Sequence, residues 1–318
     1  MIKDSLGDRM KANYENRSKT YLTRRTPVII RLDGVAFHTF TKGLKKPFDD
    51  ILIKSMQDTM KYLCENIQGC VLGYTQSDEI TLVLIDYANL NTAAWFDYNV
   101  QKMCSVAASM ASYIFNKTFR ELVIRFDQEY GELWNHSNDS EKYINALWKC
   151  LEVGAFFDAR CFNIPKEEVA NCLLWRQKDA QRNSVNSLAQ SLFSHKELQG
   201  KNLTDTKELI KSIGTDWEQL PSYLKWGSCC IKNSKIKGSE NCNRGRWEVD
   251  TNIPLFIGDG RLYVESLIDI NPFISIKQTD PLTQEEIDRI KALLNKSNLV
   301  MIGDKDTFKI TALEDNDD

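Results

Sequence analysis

Two short acidic motifs carry the residues best suited to chemistry. Arg31-Leu32-Asp33-Gly34 closes the apolar run Pro27-Val28-Ile29-Ile30, and Gln76-Ser77-Asp78-Glu79 opens the apolar run Ile80-Thr81-Leu82-Val83-Leu84-Ile85. Each places a carboxylate at the end of a buried strand, where a bare charge is costly unless a cation neutralises it. Brought together, Asp33 and Asp78, with Glu79 beside them, form a hard-oxygen site suited to two Mg²⁺ ions and hence to phosphoryl or nucleotidyl transfer. Gly34 lets the backbone approach a ligand closely, and its carbonyl can join the metal shell. An isolated Asp would more simply cap a strand or pair with an arginine. Here two strand ends, flanking turn residues and a further carboxylate coincide, which favours the metal reading.

A second group follows Asp33: His38, Lys42, Lys45, Lys46 and Asp49. Lysines beside a metal-bound triphosphate neutralise its phosphates, and an imidazole stacks on a base or donates to phosphate. Without the adjacent acids this run would read as a solvated loop. A third group, Trp175 to Ser184, mixes stacking, cationic and amide side chains, as an RNA-contacting helix does. A buried Trp under a polar outer face accounts for its composition equally well.

Positioning these groups requires a particular run of elements. A polar helix is expected over Ser5–Leu22 and a buried strand over Pro27–Asp33. Asp49–Asn66 is expected to be helical, with Ile51, Leu52, Met56, Met60 and Leu63 on one buried face. Strands over Cys70–Tyr74 and Glu79–Ile85 are joined by a turn at Thr75–Asp78. Strand, helix, strand, turn, strand is the opening of a ferredoxin-like or polymerase-palm sheet. Further helix is expected over Asn91–Phe126, rich in small residues, and over Lys166–Ser194. A polar loop falls at Gly131–Ser140, strands at Val153–Ile164 and Lys225–Lys232, and a basic loop at Asn233–Arg246. A strand-like stretch over Arg261–Ile268 and a helix over Thr283–Leu294 complete the chain. The expected class is α+β, an antiparallel sheet with flanking helices. Residues 1–232 form a palm-type catalytic body with RNA-contacting helices, and residues 233–318 form a C-terminal elaboration packed on it.

The bulk numbers bound the class. The chain has 318 residues, 42% hydrophobic and 27% charged, an ordinary globular mixture. A net charge of -3 announces no polyanion partner, although basic residues gather before Lys46 and the tail is acidic. The odd count of nine scattered cysteines points to reduced thiols rather than a disulfide framework. Cys229-Cys230 with Cys242 fits no common zinc spacing. Met1-Ile2-Lys3-Asp4 leads into a polar segment with no secretory signal, and no apolar run reaches membrane-spanning length, so a cytoplasmic protein without membrane contact is expected.

Taken in order, Arg31-Leu32-Asp33-Gly34-x-x-Phe37-His38-x-Phe40, Lys46-Pro47-x-Asp49, Gly73-Tyr74-x-Gln76-Ser77-Asp78-Glu79, Phe157-Asp158-x-Arg160 and Trp175-Arg176-Gln177-x-Asp179 resemble the tRNA(His) guanylyltransferase superfamily. The resemblance runs from about Ile29 to Trp226, and the combination is specific where each piece alone is weak. It implies a palm-type enzyme that adds nucleotides in the reverse, 3′-to-5′ direction to the 5′ end of tRNA, after ATP activates a 5′-monophosphate. It implies two Mg²⁺ on Asp33, the Gly34 carbonyl and Asp78, with Glu79 in support, and ATP, GTP or other nucleoside triphosphates as substrates. It assigns nucleotide contacts to His38, Lys46, Asp49, Ser77, Lys102 and Ser105. RNA contacts fall to Arg160, Trp175, Arg176, Gln177, Arg182 and Asn183. The family also suggests a homotetramer.

One stretch departs from the pattern. Eukaryotic members carry His-Ile-Asn-Asn-Leu-Tyr-Asn after the Trp-Arg-Gln motif, an element tied to tRNA(His) selection. This chain has Gln181-Arg182-Asn183-Ser184-Val185-Asn186-Ser187 there. The missing histidine favours the bacterial and phage-type relatives, which resemble template-dependent 5′-end repair enzymes. Two other readings compete. A palm-fold nucleotide cyclase or second-messenger synthase would use the same acids without an RNA platform. A non-catalytic RNA-binding protein would have no use for Asp33, Asp78 and Glu79, which repel RNA unless metal is present.

Overall fold

The computed structural model describes residues 5–130, 138–233, 245–269, 299–303 and 308–312. In chain order the elements are α1 (Leu6–Asn13), β1 (Val28–Gly34), α2 (Phe37–Phe40), α3 (Asp50–Asn66), β2 (Cys70–Gln76) and β3 (Glu79–Leu84). There follow α4 (Val100–Tyr130), α5 (Asn138–Val153), β4 (Phe157–Asn163), α6 (Lys166–Leu192), α7 (His195–Leu198), α8 (Leu203–Ser212) and α9 (Ser222–Trp226). The chain then forms β5 (Ser228–Asn233), β6 (Arg246–Asp250), α10 (Leu262–Ile268), β7 (Leu299–Gly303) and β8 (Phe308–Ala312).

Six strands form one antiparallel sheet in the order β4-β1-β3-β2-β5-β6, and β7 pairs with β8. The first four strands have the ferredoxin-like arrangement that the sequence predicts. Alternation along β1 explains the layers. Val28, Ile30 and Leu32 face α3 and α4, with Ile80, Leu82 and Leu84 of β3 beside them. Ile29 and Val83 point the other way, onto Val169, Ala170 and Leu173 of α6 and Val264 of α10. The sheet is therefore covered on both faces, and its central strands are continuous apolar runs for that reason.

Phe37 and Phe40 of α2 meet Phe115 and Phe119 of α4 and Phe157 of β4, with ring centroids 5.1–5.9 Å apart. This cluster pins the turn after Gly34 to the core, and a Cβ on Gly34 would run into the Phe37 ring. On α4, Met103, Ala107, Ala111, Phe115, Phe119 and Val123 form a fully buried stripe at four-residue spacing, and its two alanines bring the helix close to the sheet.

Several expectations are corrected. The first helix ends at Asn13 rather than Leu22 and buries no side chain. The segment after it instead straps the body: Val100 N–H donates to Thr20 and Leu22 N–H to Tyr98, while Arg24 pairs with buried Asp86. The helix expected from Asn91 begins at Val100, because Phe96, Asp97 and Tyr98 all take left-handed conformations and break the helical path. Helix α5 is an addition, and Asn138–Ser140 belongs to it rather than to a polar loop. Strand β4 begins only at Phe157. Arg261–Ile268 is helical from Leu262 rather than strand-like. Its buried residues Tyr263, Val264 and Ile268 lie at helical spacing, and an Arg261–Glu265 ion pair one turn apart reinforces it. The eight described cysteines are free thiols. Residues 234–244 of the basic loop and the helix expected over Thr283–Leu294 lie outside the described residues.

Gly73, in β2 ahead of the second acidic motif, is a packing residue. A Cβ there would lie 2.5 Å from the Cys64 sulfur and 2.8 Å from Cγ of Met60. Gly73→Ala is expected to cost about 1–3 kcal/mol through overpacking against α3. Urea denaturation reads this as a lower midpoint at unchanged slope.

Candidate active site

The register brings the two motifs together. Asp33 of β1 stands opposite Glu79 of β3 on one side and Asp158 of β4 on the other. Gly34 N–H donates to the Asp78 carbonyl at 3.1 Å. Asp78 sits in the tight turn between β2 and β3, where Ser77 takes a left-handed φ of 49°. Burial raises the Asp78 carboxyl above its ordinary range, and the nearby Asp33 charge raises it further. Neither Asp33 nor Asp78 has an ion-pair partner among the described residues. Two adjacent carboxylates without an ion pair, next to the backbone of a glycine, suit a hard divalent ion. The described residues hold no group of three or more His, Cys, Asp or Glu arranged for a metal. The Gly34 carbonyl and oxygens from a substrate would therefore have to complete the shell, as is usual for Mg²⁺.

A cavity of about 330 Å³ opens beside Asp78. One wall is the α2–α3 segment with His38, Lys45, Lys46 and Asp49; another is the turn Gln76–Asp78; the third is Ala180, Asn183, Ser184 and Ser187 of α6 with Tyr223 of α9. His38 and Lys46 are exposed at its rim, and Lys46 forms no ion pair among the described residues. Asn183, expected to contact RNA, lines this cavity with the nucleotide candidates instead.

Asp49 is occupied. It caps α3 by accepting from Leu52 N–H, and its other oxygen accepts from Lys45 N–H at 3.0 Å and the Tyr143 hydroxyl at 2.9 Å. These bonds close the Lys45–Asp49 loop, and Asp49 lines the cavity from it. Burial, with the Asp49 charge, raises the Tyr143 hydroxyl well above its usual range.

Glu79 is committed as well. Its Oε1 accepts from Arg176 Nε at 2.7 Å and from the Thr81 hydroxyl, and all three side chains are buried. Burial raises the Glu79 carboxyl and Arg176 opposes that shift. Arg176 also holds Asp179, which holds Arg182. Gln177 is fully buried, donating to the Pro254 carbonyl and accepting from Phe256 N–H. Arg176 and Gln177, expected to contact RNA, are thus both engaged inside the fold. Trp175 remains 53% exposed, with the Arg176 guanidinium 4.4 Å and that of Arg31 5.4 Å from its ring centre. Arg160 is exposed and bonds Asp158.

Lys102 and Ser105 do not line the cavity. They lie in the first turns of α4, where Lys102 covers the Phe96 ring. That end of α4 meets β4 at Cys161, opposite Ile30 of β1 and three residues from the Asp33 level. Sequence reasoning missed Arg31 and Asp158. Arg31 shares the Asp33 face, and its Nε is buried with no hydrogen-bond partner. Two-residue alternation along β1 was the available signal for it.

The sheet order, the strand-end carboxylates and the adjoining cavity define a palm-type protein. A family model described as Thg1: tRNAHis guanylyltransferase matches residues 7–165, half the chain. A solved bacterial tRNA(His) guanylyltransferase (Thg1)-like protein in complex with ATP superposes with TM-score 0.67 at 39% identity, covering 84% of this chain and 100% of that one. An uncharacterised protein of Acanthamoeba polyphaga mimivirus is 30% identical over 257 residues, 74% of this chain and 80% of that protein. The tRNA(His) guanylyltransferase of Saccharomyces cerevisiae, at TM-score 0.52 and 21% identity, shares the fold. The chain belongs to the tRNAHis guanylyltransferase family.

Breaking the Glu79–Arg176 pair strands a buried charge. Arg176→Met or Glu79→Leu alone is expected to cost about 3–5 kcal/mol, and the double variant distinctly less than the sum. A double-mutant cycle by chemical denaturation measures the difference.

Proposed function

We propose that this chain is a nucleotidyltransferase that adds nucleotides, in the 3′-to-5′ direction and directed by a template base, to the 5′ end of tRNA. The carrying observation is the pair of carboxylates without an ion pair among the described residues, Asp33 and Asp78, with Asp78 lining a cavity rimmed by Lys46 and His38. Family membership supports the reading, as do solved bacterial relatives in complex with ATP and with GTP. In the proposed sequence an oxygen of the RNA 5′-monophosphate first attacks the α-phosphorus of ATP, taking the adenylyl group and releasing pyrophosphate. The 3′-hydroxyl of an incoming nucleoside triphosphate then attacks that activated end and displaces the activating group.

Asp33, the Gly34 carbonyl and Asp78 would hold two Mg²⁺ ions. When bound, these supply charge neutralisation on the triphosphate and a more acidic attacking hydroxyl. The chain's own side chains do the rest by positioning. Lys46 at the cavity rim would add positive charge toward a bound triphosphate, and Arg31 adds it on the Asp33 face of β1. His38, Ser77 and Asn183 line the cavity where base and ribose would lie. Asp49 holds the loop that presents Lys46. Trp175, Arg160 and Arg182 are the exposed candidates for RNA contact. Little covalent work falls to the protein, as expected for phosphoryl-group chemistry. A cytoplasmic homotetramer fits this reading, and no helix among the described residues is long and apolar enough to cross a membrane.

Incubation with Mg²⁺, labelled nucleoside triphosphates and 5′-truncated tRNAs differing in the opposing base tests the proposal. Label should enter RNA opposite its complementary base. Label in a small product would favour a cyclase, and none at all would favour a binding protein. Asp33→Ala and Asp78→Ala should each reduce addition by orders of magnitude while the circular dichroism spectrum is kept; near wild-type turnover at saturating Mg²⁺ would refute the metal assignment.

The pH dependence follows from the raised Asp78 carboxyl. A divalent ion requires the ionised form, so affinity falls as pH drops, and the fall begins above the ordinary carboxylate range. Titration with Mn²⁺ as the probe at several pH values should show that early loss, and Asp78→Asn should bind weakly with a flatter profile. Without metal the sign reverses. A carboxyl raised by folding stabilises the fold at low pH, and that contribution is lost as pH rises through the folded-state value.

A further inference from the structure

A second surface adjoins the carboxylates from the opposite side of β1. Ala155 is held by Asn116 of α4 through both its N–H and its carbonyl, and Phe157 N–H donates to the Ser112 hydroxyl. With Ala155 and Phe157 pinned inward, alternation forces Phe156 out, and it is 64% exposed. The Phe156 carbonyl accepts from Val35 N–H at 2.9 Å, immediately after Gly34. Tyr113, 67% exposed, faces the same hollow from α4. One and two turns along that helix, Lys117 and Arg120 complete its rim, and neither forms an ion pair among the described residues. The hollow measures about 410 Å³ and is open to solvent.

Two exposed rings beside two unpaired cations are the chemistry of a single-stranded nucleic-acid site: bases stack on the rings and phosphates lie against the cations. We infer that the Tyr113–Phe156 hollow binds unpaired nucleotides of the substrate RNA next to the end being extended. The inference rests on the proposed function, because only an RNA substrate would bring such nucleotides to Gly34. It adds a binding site that none of the motif residues occupies. The hydrogen bond from Val35 to Phe156 links it directly to the strand end that carries Asp33.

The test uses the full chain and three variants: Tyr113→Ala/Phe156→Ala, Lys117→Ala/Arg120→Ala, and the four changes combined. All four side chains are at the surface, and unchanged thermal midpoints verify the fold. Binding of a 5′-truncated tRNA with its single-stranded 3′ end, and of the same RNA trimmed to a blunt stem, is followed by fluorescence anisotropy at several salt concentrations. The aromatic variant should bind the intact RNA about tenfold or more weakly, as loss of stacking under one or two bases predicts, and should no longer discriminate it from the blunt RNA. The cationic variant should weaken binding with a flatter salt dependence. Nucleoside triphosphate affinity should be unchanged in all three.

Equal RNA affinity in wild type and the combined variant would overturn the inference. So would a change of sedimentation coefficient without a change of RNA affinity, which would make the hollow a contact between copies of the chain. Wild-type protein that extends tRNA while the combined variant binds and extends it equally well removes this site alone. Wild-type protein that extends no RNA removes the proposed function as well.

Discussion

The buried ion pair between Glu79 and Arg176 sets the geometry of everything around it. A carboxylate at the start of a central strand and a guanidinium on a covering helix exclude water between them, so their contact tolerates little displacement. Helical periodicity then carries that constraint along α6. Ala180, Asn183, Ser184 and Ser187 follow Arg176 at intervals of four, three, one and three residues, which keeps them on one face. That face is the cavity wall opposite His38 and Lys46. One turn of slippage at Arg176 would remove the wall. Gln177, the next residue, ties the same helix to Pro254 and Phe256, so the segment after β6 is coupled to the cavity through a single turn.

A division of labour among acidic side chains follows. Asp33 and Asp78 form no ion pair among the described residues, whereas Glu79, Asp49 and Asp86 are each engaged by donors from the fold. In sequence these five look alike, each a carboxylate near the end of an apolar run. Their difference lies in what distant elements bring to them. Arg176 lies 97 positions from Glu79, Tyr143 lies 94 from Asp49, and Arg24 lies 62 from Asp86.

This explains which parts of the molecule were legible from residues alone. The first half of the sheet could be read directly, because apolar runs of strand length separated by an amphipathic helix and a short turn leave few alternatives. The Asp33–Asp78 pair was legible because both acids sit at ends of strands that pair. Other features were hidden by the same local view. Asp49, Arg176 and Gln177 have the polarity of ligand-binding groups, and only tertiary hydrogen bonds reveal that the fold engages them. The start of α4 was misplaced because three consecutive left-handed residues without a glycine have no compositional mark. The helix at Leu262 was read as a strand because its short apolar run satisfies both periodicities until its neighbours are known. Arg31 lies within the most informative motif, and the two-residue alternation of β1 sets it on the same face as Asp33.

The sheet also has a history written into its order. β2, which carries the approach to Asp78, lies between β3, its immediate successor, and β5, which follows about 150 residues later: Tyr74 pairs with Cys229, and its hydroxyl donates to the Trp226 carbonyl at 2.6 Å. Gly227, with a φ of 86°, fits against Thr75 where any side chain would collide with its carbonyl. During synthesis, both carboxylates leave the ribosome long before the strand that completes their sheet. Until Ser228 arrives, β2 offers an open hydrogen-bonding edge, the feature by which chains adhere to one another. The nascent protein thus holds its acidic pair early and completes its cavity late. A chain terminated before α9 would keep the α6 wall but lack both Tyr223, which closes the cavity beside it, and the strand that covers the edge.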